Sequence, residues 1–260
     1  MTSLDKKLSQ TGNRCLLGVA LQRYDPQFAE IAVHLGFDAL WIEMEHEAIS
    51  LDQAGDLCRI ASGVGLMTMI RVPNPGREAV LKAAELGPDI LDLPMANSPE
   101  TAAEFVRHSR YAPLGMRGFF GSSRAMRYGV DGNPREQQQK INQELCLLVQ
   151  VETKEAVGCA VELSSVSGID GIFLGPGDLS SSLGVTGEMN HPLVREAMLR
   201  ALAAAKQNGK RVSAACAPGD VAYWAEQGID LLFCASNLSC QIAGARAVLT
   251  EVGNARNRRG

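Results

Sequence analysis

Short apolar runs rich in β-branched or aromatic residues alternate along this chain with stretches whose apolar positions recur at helical spacing. The runs cover residues 16–20, 38–43, 67–72, 90–94, 145–151, 171–174, 211–215 and 231–235. Runs of this kind separated by helical stretches predict parallel strands joined by helical crossovers. Between them, helices are expected over 26–34, 77–86 and 192–207, ending at Gly36, Gly87 and Gly209, each able to take the left-handed cap conformation. Ser98-Pro99 and Asn133-Pro134 mark two further helix starts, a capping residue followed by proline in the first turn. Eight strands in this order predict an α/β fold, the (β/α)₈ TIM barrel, as one domain over residues 1–260. A doubly wound open sheet is the alternative, because periodicity does not show that a sheet closes.

The longest interruption, about 111–132, holds five glycines together with Arg117, Arg124 and Arg127. It reads as a functional loop over the barrel mouth. Arg124 and Arg127 suit either an acidic distal end of a substrate or a pairing at a subunit interface.

Composition narrows the picture. A length of 260 residues matches one barrel, and 46% hydrophobic with 21% charged residues is ordinary for a globular chain. A net charge of -4 argues against nucleic-acid binding, and the basic ending Arg256, Arg258 and Arg259 reads as a frayed tail. The seven cysteines are scattered without a C-x-x-C pair, so reduced thiols are expected rather than zinc or redox chemistry. No apolar window reaches the ~18 residues of a membrane span, which together with the missing signal-type leader points to the cytoplasm.

Barrel active sites form at the carboxyl ends of strands, so polar residues that terminate apolar runs are the informative ones. Gln150 and Glu152 share one face of their strand while Val149 and Val151 share the other, which aims both polar groups at the barrel axis. A metal with a bound oxyacid would satisfy them; the alternative is that Glu152 caps the helix beginning near Lys154. Asp178 follows Gly175-Pro176-Gly177, where backbone N–H groups suit an anion and the aspartate a cation, unless the segment is an ordinary turn with a capping aspartate. Glu152 and Asp178 are therefore the candidate metal ligands, and two carboxylates with open positions suit Mg²⁺, Mn²⁺ or Co²⁺ better than zinc.

Arg71 ends an apolar strand and suits a carboxylate or enolate oxygen, the alternative being an outward arginine paired at the surface. His46 is the histidine at a strand end and the candidate base, whereas His34, His108 and His191 fall in or at the start of helices. No lysine is placed for a Schiff base, which favours metal stabilisation of an enolate over an imine.

These residues in this order resemble the HpcH/HpaI aldolase family of metal-dependent pyruvate aldolases. The likeness rests on Gly36-Phe37-Asp38 leading to Glu45-His46, on Ile70-Arg71-Val72-Pro73, and on Arg110-Tyr111-Ala112-Pro113 with Gly115-Met116-Arg117-Gly118. It continues through Val149-Gln150-Val151-Glu152-Thr153 and the run from Gly168-Ile169-Asp170-Gly171 to Gly175-Pro176-Gly177-Asp178-Leu179-Ser180. The resemblance implies a barrel, usually a hexamer built as a trimer of dimers, with Glu152 and Asp178 on the metal. It further implies that Arg71 stabilises the enolate, that Gln150 seats the substrate, and that the backbone around Gly177 and Asp178 holds its carboxylate. His46 would act through water as the base, with Glu85 as its acidic partner.

The chain departs from the family pattern at Glu85 and Glu43, where aspartates are usual, at Ala20 for a frequent tryptophan, and at Asn237 for a frequent aspartate. A wider or differently shaped pocket is expected from these changes. The function expected is an aldolase acting on a pyruvate-type 2-oxo acid and an aldehyde. The alternatives are the same site with another electrophile or decarboxylating oxaloacetate, and a 2-oxo-acid binding protein whose catalysis has lapsed.

Overall fold

The computed structural model describes residues 1–130 and 132–257. Among them, eight parallel strands close in sequence order into a barrel: β1 (Leu16–Leu21), β2 (Ala39–Glu43), β3 (Met67–Arg71), β4 (Ile90–Leu93), β5 (Cys146–Val151), β6 (Gly171–Leu174), β7 (Arg211–Ala215) and β8 (Leu231–Ser236). The open-sheet alternative is therefore excluded, since β8 pairs with β1.

Helices α1 (Ser3–Gln10), α2 (Pro26–His34), α3 (Leu51–Val64), α4 (Arg77–Glu85), α5 (Pro99–Ser109) and α6 (Pro134–Glu144) fill the first half of the chain. In the second half lie α7 (Lys154–Gly158), α8 (Ala160–Ser165), α9 (Pro176–Ser182), α10 (Pro192–Gln207), α11 (Val221–Glu226) and α12 (Asn237–Asn257). Ser98 and Asn133 accept backbone N–H groups at the starts of α5 and α6, with proline next in line, as their sequence suggests. No helix among the described residues is long and apolar enough to cross a membrane. Arg258 and Arg259 of the basic ending lie outside the described residues.

Alternation sorts the side chains into two cores. Residues such as Leu40, Ile42, Ile70, Val149 and Val151 face outward into the layer shared with the helices. Trp41, Met69, Leu148, Phe173 and Phe233 face the lumen, where Trp41 meets Phe173 at 5.1 Å and Phe233 at 5.4 Å, both edge-on. Gly18 is required here, because a Cβ on it would lie 2.4 Å from the Phe233 ring. α1 closes the amino-terminal end by burying Leu4 and Leu8 in the same lumen core. With the bottom plugged and the middle packed, apart from the buried Ser213, the buried charged residues of the lumen gather at the carboxyl ends of the strands.

The 111–132 segment corrects the sequence expectation. Its described residues, 111–130 and 132, follow α5, which has already returned the chain to the amino-terminal end of the barrel, so they lie opposite the mouth. Ala125 N–H donates to Glu85 O, and Arg124 donates to Leu86 O and Gly87 O, all just ahead of β4. Glycine content and length signalled a long irregular segment; which end of the barrel it occupies follows from its place after a helix rather than after a strand.

Candidate active site

The last lumen layer carries Glu43, Arg71, Asp92 and Gln150, with Glu152 just beyond β5. Arg71 is 6% exposed and lies between two carboxylates, with Nη2 2.5 Å from Glu43 Oε2 and Nε 3.2 Å from Glu45 Oε2. Its guanidinium carbon lies 4.9 Å from the centroid of the Trp41 ring. The surface-pair alternative for Arg71 is thereby removed. Glu43 also organises the turn after β2, because its Oε1 accepts the N–H of Glu45 at 2.7 Å and of His46 at 3.1 Å. The same carboxylate thus ties the turn bearing His46 to Arg71. The His46 side chain is 60% exposed, with Nε2 3.5 Å from Glu45 Oε2.

Glu152 points into the site and does not cap α7, whose cap is Thr153 accepting from Ala156 N–H. Its Oε1 accepts the Met95 N–H at 2.6 Å and its Oε2 accepts from Gln150 Nε2 at 2.5 Å. Met95 adopts φ 52 to present that N–H. Burial pushes the Glu152 carboxyl up to about 7, with the Met95 N–H and Arg71 opposing and the charges of Asp178 and Glu45 adding. Glu45 is likewise raised, chiefly by burial.

Asp178 occupies the first turn of α9 behind Gly175, the cap residue, and Pro176; Asp178 and Gly177 are exposed. Asp178 is therefore not a helix cap. Its charge is felt by both Glu152 and Glu45, which sets it beside them. Among the described residues no three His, Cys, Asp or Glu converge as a ready-made metal cage. The site instead offers two carboxylates, Glu152 and Asp178, beside Gln150, whose Oε1 is buried without a partner. Two protein oxygens with the remaining positions left to water and substrate is a donor set that fits a hard divalent cation.

Asp92 escaped the sequence reading. It is fully buried, neither carboxyl oxygen has a hydrogen-bond partner, and burial holds its pKa well above the usual range. The signal was present: Asp92 interrupts the run 90–94 at the same parity as Ile90, hence on the lumen side. The contribution of Met95, a backbone N–H in a left-handed conformation, had no signal in residue type.

Glu85 is not brought to His46 within one chain. It ends α4 at the amino-terminal end of the barrel, where Arg117 Nη2 donates to its Oε1 at 3.0 Å. None of the seven lysines is buried; Lys210, for example, donates to Ile169 O ahead of β6. The lumen therefore has no lysine of the desolvated kind that imine chemistry requires.

Residues 17–233 match the HpcH/HpaI aldolase/citrate lyase family. The chain is 34% identical over 181 residues to a hydroxypyruvate/pyruvate aldolase of Sagittula stellata, covering 70% of each chain. It is 33% identical over 195 residues to a 2-keto-3-deoxy-L-rhamnonate aldolase of Klebsiella pneumoniae, covering 75% of this chain and 72% of the relative. Among solved structures, an HpcH/HpaI aldolase from Desulfitobacterium hafniense superposes with a TM-score of 0.88 at 29% identity, covering 96% of both chains. With a match of this extent and these residues gathered at the barrel mouth, the chain belongs to the HpcH/HpaI aldolase/citrate lyase family.

Proposed function

We propose that this protein is a metal-dependent aldolase, a carbon–carbon lyase that joins or splits a pyruvate-type 2-oxo acid and an aldehyde. The observation that carries the reading is Glu152, a lumen carboxylate oriented by Gln150 and the Met95 N–H beside Asp178 and Arg71. Glu152 and Asp178 would hold Mg²⁺, Mn²⁺ or Co²⁺, and such an ion supplies Lewis-acid polarisation of the 2-oxo acid.

The chain's own residues divide the remaining work. Arg71, fixed by Glu43 and by its contact with Trp41, directs a permanent positive charge at the oxygen that becomes negative as the carbon–carbon bond breaks. Gln150 seats the 2-oxo acid through the second N–H of its Nε2, the first being donated to Glu152, and the first-turn N–H groups of Gly177 and Asp178 take the carboxylate. His46, exposed on a turn anchored by Glu43, takes the hydroxyl proton of the cleaved substrate through water. Glu85 lies at the far end of its own barrel, so a catalytic part for it requires a second copy of the chain.

A homo-oligomer, a hexamer built as a trimer of dimers, is the assembly the family resemblance implies. The exposed Leu114, Met116, Phe119 and Phe120 on the 111–132 segment, and Leu238, Ile242 and Leu249 on α12, support association. The seven free thiols suit a reducing compartment, in agreement with a cytoplasmic enzyme.

Solvent deuterium exchange into the methyl group of pyruvate, followed by NMR, tests the reading. Exchange should need the metal, stop with EDTA and be lost in Glu152→Ala; pyruvate binding without any exchange would overturn it.

A further inference from the structure

On the amino-terminal face, at the opposite end of the barrel from Glu152, a cavity of about 590 Å³ opens between the 111–132 segment, α6 and the end of α4. Arg117, Arg124, Arg127 and Lys140 line it, together with the carboxylates Asp89 and Glu144. Both acids are already engaged: Asp89 accepts from Thr68 N–H and Oγ1, and Glu144 pairs with Lys6. The wall holds more cationic than anionic side chains, although Arg117 is ion-paired with Glu85 and Asp89 is held by neutral donors alone.

Two of the cations are built in rather than draped over the surface. The Arg117 side chain is 0% exposed, donates through Nε and Nη2 to Glu85 Oε1, and stacks on the Tyr111 ring at 4.5 Å. Its Nη1 is buried and has no hydrogen-bond partner. A guanidinium N–H in that state favours any oxygen acceptor that reaches it. Arg124 is clamped by Leu86 O, Gly87 O, Cys58 O and Ser62 Oγ, and its charge also reaches Asp89 in the same wall without a direct ion pair. Neutral carbonyls fix its position without cancelling its charge. Lys140 adds a third cation from the exposed side of α6.

We propose that this cavity is an anion site for a small organic acid, bound through a carboxylate or phosphate group by Arg117 Nη1, Arg124 and Lys140. Its volume falls in the roughly 300–1,000 Å³ range of small-molecule pockets. Arginines with fixed planar forks are suited to both kinds of oxyanion. The site shares no residue with the Glu152–Asp178 pair, so the two readings fail separately, although Arg117 is bonded to Glu85.

Isothermal titration calorimetry on the Mg²⁺-loaded full chain at fixed ionic strength, with succinate in one arm and inorganic phosphate in the other, tests the proposal. Saturable binding is expected in at least one arm, succinate indicating a carboxylic acid and phosphate a phosphate ester. Lys140→Glu, on an exposed helix face, should weaken it at least roughly tenfold, and Arg124→Gln should act in the same direction. Glu152→Gln should leave it unchanged. Absence of saturable binding in both arms overturns the site, as does binding lost in Glu152→Gln but kept in Lys140→Glu. A Lys140→Glu protein that changes its sedimentation coefficient while binding both probes as before would assign the cavity to subunit contact and overturn it too.

Discussion

A Cβ on Gly175 would lie 2.7 Å from Gln150 Nε2 and 2.9 Å from Glu152 Oε2, so the glycine after β6 is what lets the strand end pass beside the Glu152 carboxylate. Gly175→Ala must displace one of those groups, and a shift of this size costs about 100-fold in rate when it touches reacting geometry. Steady-state kinetics should show that loss, with a thermal melt confirming that the barrel still folds. Arg71→Lys keeps one charge but loses the fork held by Glu43 and Glu45. The expected fall in kcat is roughly 100- to 1,000-fold, with a smaller change in the pyruvate KM; equal activity would remove Arg71 from the charge-stabilising part. Both predictions rest on a part of the site that was legible: Arg71, Gln150 and Glu152 interrupt or end apolar stretches at lumen parity, and Asp178 follows the glycine-rich turn after the sixth run. Asp92 obeyed the same parity and was equally readable, whereas Met95 acts through its backbone and was not.

At the level of elements, the two ends of the barrel do different work. The carboxyl ends gather Glu43, Arg71, Gln150 and Glu152, while the amino-terminal face is tied together by Arg110. That side chain is buried and donates to Asn142 O, Leu145 O, Gly168 O and Asp170 Oδ2, linking the approaches to β5 and β6. Arg110→Ala leaves Asp170 and three carbonyls without that partner, and because Asp170 is half-buried and keeps the Leu147 N–H, the loss should be about 2–3 kcal/mol, below that of a fully buried pair. Urea denaturation should report the loss, and the pyruvate KM should stay as it was. The eight strands and helices α2, α4 and α10 followed from periodicity, and the starts of α5 and α6 from a capping residue before proline, whereas α3 and α12 were not singled out. The register of β8 did not: between Gly18 and Val19 its pairing with β1 slips by one residue, which sets Ser236 opposite Ala20. Nothing in the order of small residues there announces the extra one.

For the molecule as a whole, the mouth concentrates acidic groups, and this makes its stability depend on pH and metal together. Burial raises Glu152 to about 7 and raises Glu45 and Asp92 as well. A carboxyl with a raised folded pKa binds more protons folded than unfolded, so stability declines as pH climbs from the unfolded value of about 4.3 through the folded one. For Glu152 that window closes near 7. The metal-free protein should therefore melt at a lower temperature at pH 8 than at pH 5.5 through these groups. Added Mn²⁺ or Mg²⁺ should raise the melting temperature more at pH 8, because its ligands must be deprotonated; an equal rise at both values would remove Glu152 from the ligand set. What the amino-acid order determined by itself was local and periodic: eight strands, the helices with clear starts or stops such as α2, α4, α5, α6 and α10, and which polar residues share the lumen face, since side-chain parity depends only on the backbone pleat. Tertiary structure alone decided the remainder. Closure of β8 on β1, the descent of the 111–132 segment to the far face, and the separation of Glu85 from His46 all depend on contacts between residues distant in the chain, which no local pattern encodes.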